Sequence, residues 1–168
     1  IRDRVAILHH LGIRVVLVHG GGPQLDEIAA RLGHETRMVQ GRRVTDASAI
    51  DATSMVLNGL VNTQLLALCR SFGIAAMGLC GVDGGLVQAH RRAPVTLASG
   101  DVVDYGQVGD IDAVDGSVIA RLLDAGFLPV VSPLSCDASG HLLNINADTV
   151  AAAIGGALVA EKLVLCTG

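Results

Sequence analysis

Three short segments of this 168-residue sequence combine residue types and spacings that could do chemistry. The first is Val18-His19-Gly20-Gly21-Gly22-Pro23, in which a β-branched apolar run ends in three glycines and Pro23 opens a helix. A strand, a glycine turn and a helix start aim several backbone N–H groups at one point. The helix dipole adds partial positive charge there, so carboxylates and phosphates suit the place. Glycine lets a ligand come close to the backbone. A tight turn with no ligand is the other reading, although three successive glycines exceed what such a turn needs. Two familiar phosphate loops do not fit. The dinucleotide fingerprint GxGxxG needs glycine where Leu25 stands, and a P-loop needs Gly-Lys-Ser/Thr, whereas Lys162 is the sole lysine.

The second segment is Gly41-Arg42-Arg43-Val44-Thr45-Asp46. Arginine recognises carboxylate or phosphate through two parallel hydrogen bonds. Adjacent arginines on a strand point to opposite faces, so one can enter a cleft while the other is solvated. Two surface arginines remain the plainer alternative. The third segment is Asn144-Ile145-Asn146-Ala147-Asp148, where period-two spacing sets both asparagines on one side just before a helix start. An asparagine can donate and accept at once, and Asp148 could hold a cationic group. Helix capping by Asn146, with Asp148 favouring the dipole, explains the same residues equally well.

Hydrophobic residues make up 51% of the chain and aromatics only 2%, so the core must be aliphatic, as in parallel sheets covered by helices. A net charge of −4, with no basic stripe, argues against nucleic acid as a partner. The apolar stretches are broken by Gly, Arg and Asp, which argues against a bilayer span and for a soluble, cytoplasmic protein. Cys69, Cys80, Cys136 and Cys166 show no CxxC spacing and suit reduced, packed thiols; the histidines form no HxxxH pair, so no metal is expected. Eleven arginines stand against the one lysine, an unusual balance for a chain that would handle nucleotide phosphates.

The elements that must position the three segments alternate. Helical spacing covers residues 2–12 and, from Pro23, runs to about Leu32 with a stop at Gly33. Arg14–His19, Ile74–Cys80, Leu128–Val131 and Glu161–Cys166 are predicted to be buried strands. Residues 38–45 suit a short strand or hairpin, and Asp46 caps a long helix over residues 47–72. Alternating valines over residues 86–112 predict β-hairpins; a helix follows near Asp115, then a turn at residues 137–140, and a last helix ends near Ala157. The predicted fold is α/β: a three-layer α/β/α sandwich on a mainly parallel sheet, with an antiparallel hairpin insert.

Together the segments resemble the amino acid kinase family, and within it the acetylglutamate kinase group. The match runs through VLVHGGGPQLDEIAARLG, GRRVTDA, MVLNGLVNTQLLALC, GLCGVDGGLVQA, VDYGQVGDI, LLDAGFLPVVSPL and LNINADTVAAAIGGAL, in order along the chain. The resemblance implies ATP-dependent phosphorylation, with Mg²⁺, of the γ-carboxylate of N-acetyl-L-glutamate in arginine biosynthesis. It implies substrate contacts from Gly21, Gly22, Arg43 and Asn144, further contacts from Gly20 and Asn146, and a catalytic role for Asp148 in organising lysines. It also implies a homodimer joined around the long helix. The family's K-x-G-G strand, its second catalytic lysine and its nucleotide-binding lobe are not found in these 168 residues. The chain is therefore expected to be the substrate-binding lobe, with little kinase activity alone. A non-catalytic or arginine-sensing domain of an N-acetylglutamate synthase is the alternative, whereas a dinucleotide-binding oxidoreductase fails at Leu25.

Overall fold

The computed structural model describes residues 2–31, 33, 37–40 and 42–166. The predicted helix end at Leu32, Gly41 of the arginine segment and the side chain of Arg42 lie outside the described parts. The N-terminal half contains α1 (Arg2–His10), β1 (Leu17–Val18), α2 (Gly22–Arg31) and the hairpin β2 (Met38–Val39) and β3 (Arg42–Arg43). A long helix over Ala47–Ser71 follows. It consists of α3 (Ala47–Ser54), a π-helical segment (Met55–Asn62) and α4 (Thr63–Ser71). Next come β4 (Ala76–Cys80), β5 (Val87–Arg91), β6 (Val95–Thr96), β7 (Val102–Val103) and β8 (Gly109–Val114). The remaining elements are α5 (Ser117–Asp124), β9 (Leu128–Ser132), β10 (Leu134–Cys136), β11 (Leu142–Asn144) and α6 (Ala147–Ala157).

A parallel sheet in the order β1-β9-β4 forms the central layer. Its side chains alternate between two cores, as the pleat requires. Val15, Leu17, Val130 and Ala76 pack with Ala6 of α1 and with Leu65 and Cys69 of α4. Val16, Val18, Val131 and Leu79 pack on the other face with Ile119 of α5 and with Val150 and Ile154 of α6. All five residues of β9 are buried, which explains its unbroken apolar run and its central place. The predicted sandwich is therefore present.

Some boundaries differ from the sequence reading. The run at 14–19 yields only a two-residue strand, because Leu17 and Val18 alone pair in register with β9. Residues 86–112 do form nested hairpins, β5 with β8 and β6 with β7. Their outer arm, however, joins a second sheet, β11-β10-β5-β8, so it is part of the framework. Residues 161–166 are not a strand: Leu163, Val164 and Leu165 are exposed and no described strand pairs with them. An apolar β-branched run becomes a strand only beside an edge that accepts its hydrogen bonds.

The helix Ala47–Ser71 is long and apolar enough to cross a bilayer by length and composition, which corrects the expectation that no stretch could. Asp51 and Arg70 are its only charges, and their rarity has another cause here. Ile50, Ala52, Val56, Leu57, Val61 and Cys69 are buried inside the fold, so one face of the helix is core. Of the cysteines, Cys69 and Cys80 are buried as expected, Cys136 is half-buried, and Cys166 is exposed.

Candidate functional site

The carboxyl ends of parallel strands, where ligands gather in α/β sheets, carry the glycine turn (after β1) and the β9–β10 connection. The turn forms as its sequence suggests. Gly22 starts α2, and the Leu25 N–H donates to the Gly21 carbonyl at 2.8 Å, closing the first helical turn. Among the described residues the N–H groups of Gly20, Gly21 and Gly22 donate to no backbone acceptor, as expected of the first groups of a helix. Gly20 lies against the start of α6: a Cβ there would sit 3.7 Å from the Ala147 Cβ. The glycine turn and the Asn144–Asp148 segment are thus neighbours.

Arg43 extends from the β2–β3 hairpin toward α2, where its Nη2 donates to Asp26 Oδ1 at 2.7 Å. Its side chain is only 15% exposed. Arg43 also lines a cleft of about 310 Å³ between α2, the hairpin and α3, together with Leu25, Ala29, Arg37, Val44 and Ser48. The glycine turn and Asn144 are not part of that lining.

Two residues beyond Arg43, Thr45 is fully buried and ties its segment to the rest of the site. Its N–H donates to the Tyr105 carbonyl, and its carbonyl accepts from Gln107 N–H at 2.6 Å. Asn144 Nδ2 donates to Thr45 Oγ1 at 3.3 Å, and Asn144 N–H donates to the Gln107 carbonyl. The arginine segment and the asparagine segment therefore share one hydrogen-bonded junction, although 99 residues separate them.

Asn146 is a helix cap. Its side-chain oxygen accepts from the Thr149 N–H at 3.0 Å and lies 3.2 Å from the Thr149 hydroxyl, so the capping explanation applies to it. Asp148 is exposed in the first turn of α6 and has no ion-pair partner among the described residues. It is open to a cation supplied from elsewhere. No group of three His, Cys, Asp or Glu side chains that could gather a metal occurs among the described residues. Lys162 is exposed beyond α6.

The sequence reading missed His19, Asp26, Thr45 and Asn62. His19 is 9% exposed, and burial pushes its pKa below the ordinary 6.5 against a smaller upward pull from its bond to Gly20. The native ring is therefore neutral where an unfolded chain would begin to take up a proton. As pH falls below about 6.5, the unfolded state binds more protons and the fold loses stability until the lowered native pKa is reached. A thermal-unfolding series from pH 8 to 5 is expected to show that decline, and His19→Gln is expected to flatten it. Asp104, Asp115 and Asp137 are held below the usual carboxylate range, mainly by backbone N–H groups of Gly106, Ser117 and His141. Their contribution is lost only below about pH 4, outside the histidine window.

The fold is an α/β domain in which a glycine turn, a hairpin arginine and an asparagine segment lie on connected elements. A model of the Amino acid kinase family matches residues 1–168, and the chain belongs to that family. It is 48% identical over 165 residues to the acetylglutamate kinase of Methanopyrus kandleri, covering 98% of this chain and 66% of the relative. It is also 48% identical to the Myxococcus xanthus acetylglutamate kinase, covering 96% of this chain and 54% of the relative. The chain thus spans roughly half to two thirds of the curated relatives it matches. Among solved structures, smu.665 from Streptococcus mutans UA159 superposes with a TM-score of 0.86 at 28% identity, covering 99% of this chain and 64% of that one. An N-acetylglutamate synthase from Neisseria gonorrhoeae, complexed with coenzyme A and N-acetyl-glutamate, gives 0.75 at 27% identity, covering 95% of this chain and 35% of that one.

Proposed function

We propose that this chain forms the acceptor side of an N-acetyl-L-glutamate kinase, which transfers the terminal phosphoryl group of ATP to the γ-carboxylate. The carrying observation is the Thr45–Asn144 junction, two residues from Arg43, beside a glycine turn whose N–H groups donate to no backbone acceptor among the described residues. The 48% identity to acetylglutamate kinases supports it. On this reading Arg43 holds a substrate carboxylate and Asn144 a polar group of the acetylglutamate. The N–H groups of Gly21 and Gly22 meet the γ-carboxylate and the arriving phosphoryl group, with Gly20 and Asn146 at the margin. A carboxylate oxygen bonds to phosphorus as the bond to ADP breaks, giving an acyl phosphate; alignment and charge neutralisation suffice, without a covalent enzyme intermediate.

Asp148 orients lysines that, on this reading, belong to a K-x-G-G strand and a nucleotide lobe outside the 168 residues. ATP with Mg²⁺ binds mainly there, and the protein works in the cytoplasm on arginine biosynthesis. A second copy pairs along the long helix and the outer strand β4, where Met55 is 65% and Met77 39% exposed. Sedimentation should then give a dimer.

The synthase-domain alternative is favoured by the structural likeness to the Neisseria gonorrhoeae enzyme, but at lower identity than the kinases. Hydroxylamine trapping of the acyl phosphate separates the two. The gene product that contains this chain is expected to form hydroxamate only with ATP and N-acetyl-L-glutamate together. The 168-residue chain alone should give at most a trace, since its sole lysine, Lys162, is exposed beyond α6 and matches neither lysine that the reading requires. Acetyl transfer from acetyl-coenzyme A to glutamate, without hydroxamate, would overturn the kinase reading.

A further inference from the structure

We propose that His19 and Asn62 are a positioning pair that sets the Gly20–Gly21 peptide, turning the Gly21 N–H toward the anion that the glycine turn receives. The identity of that anion rests on the kinase reading above; the orientation of the peptide does not.

His19 is the last residue before the turn, and its N–H donates to the Val131 carbonyl at 3.0 Å, extending the β1–β9 ladder. Its ring lies between two partners. Nδ1 is 2.9 Å from the Gly20 carbonyl oxygen, and Nε2 is 3.1 Å from Asn62 Nδ2. A carbonyl oxygen can only accept, so Nδ1 carries the proton; Nε2 is then the acceptor and the asparagine amide the donor. The sense of that amide has an independent cause, because Asn62 Nδ2 also donates to the Val130 carbonyl at 3.0 Å. Both amide hydrogens are thereby used. A reversed amide would set its oxygen against two acceptors. Every donor and acceptor from β9 to the turn has one consistent direction.

The turn inherits that direction. In a trans peptide the C=O and the next N–H point to opposite sides. The Gly20 carbonyl faces the His19 ring, so the Gly21 N–H faces away from it. The Gly21 carbonyl is engaged by Leu25 inside α2, which fixes the next peptide as well.

The long helix is shaped for this contact. Asn62 is 5% exposed and closes the π-helical segment, a form of helix frequent at functional sites. Leu57 and Val61 of the same segment press on the turn: a Cβ at Gly21 would stand 2.8 Å from Leu57 Cδ2 and 3.3 Å from Val61 Cγ2. On β4, a Cβ at Gly78 would overlap the Asn62 side-chain oxygen, so the sheet leaves that position bare to admit the asparagine. Asn58, one turn earlier, accepts a hydrogen bond from the Ser132 hydroxyl and, among the described residues, has no bond to the turn, which makes it a matched control.

The test pairs ring ¹⁵N shifts of histidine-labelled protein with N-acetyl-L-glutamate titrations of wild type, Asn62→Leu and Asn58→Ala. The expected results are a single Nδ1–H tautomer for wild-type His19 and its loss in Asn62→Leu. Affinity should fall roughly ten- to hundredfold in Asn62→Leu, the scale of a misplaced binding group, and stay within about twofold in Asn58→Ala. An Nε2–H tautomer in wild type, or equal losses of affinity in both folded variants, would overturn the pair. If the wild type shows the Nδ1–H tautomer but binds no N-acetyl-L-glutamate, the kinase reading fails while the peptide orientation stands.

Discussion

Arg43→Ala is expected to weaken N-acetyl-L-glutamate binding by roughly ten- to hundredfold, measured by calorimetry on the folded protein. A hydrogen bond to a charged group is worth about 1.5–3 kcal/mol, and each 1.4 kcal/mol is about tenfold. The site makes Arg43 more exacting than a surface arginine. It is 15% exposed and already oriented by Asp26, so little side-chain freedom remains to be lost when a carboxylate arrives. Arg43→Lys should not restore affinity, since an ammonium cannot reproduce the planar fork. The ion pair itself contributes at most about 1 kcal/mol, because Asp26 is 55% exposed, and truncation of the largely buried Arg43 stem adds a loss of packing. A large loss of affinity in a variant that still unfolds cooperatively is the expected combination.

Gly106→Ala is expected to lower stability by about 2–5 kcal/mol in a denaturant titration. Gly106 has a φ of +74°, a conformation that costs an L-residue about 1–2 kcal/mol. A Cβ there would also overlap the Thr45 carbonyl oxygen, which is backbone and cannot rotate aside; such overpacking costs about 1–3 kcal/mol. Gly140→Ala separates the two effects. Its φ is +85° but nothing lies within 4 Å of an added Cβ, so only the conformational penalty should appear. Because Gly106 bridges to Thr45 and Thr45 bonds to Asn144, the surviving folded Gly106→Ala protein should also bind N-acetyl-L-glutamate less tightly. Gly140→Ala should bind normally.

The layered fold was legible because its signals are local. The β-branched run of β9, the glycine after α2 and the Asp46 cap with its bonds to Ser48 and Ala49 each act within a few residues. The chemistry-bearing types in the glycine, arginine and asparagine segments were legible for the same reason. Their supports were not. Thr45 lies 99 residues from Asn144, and His19 lies 43 from Asn62, so neither junction leaves a periodic trace. The one available hint was two asparagines at positions 58 and 62, four apart in the otherwise apolar segment Met55–Asn62. The strand predicted at residues 161–166 failed for the opposite reason: its pattern is strong locally, but a strand needs a neighbouring edge, which composition cannot supply.

The most direct measurement is calorimetry of the folded wild-type chain with N-acetyl-L-glutamate, alongside Asn144→Ala. The expected result is saturable binding by wild type at one molecule per chain. Asn144→Ala, which loses the proposed ligand contact and the bond to Thr45, should bind roughly tenfold or more weakly. No heat of binding from a wild-type chain that still unfolds cooperatively would contradict the assignment of this lobe as the acceptor side.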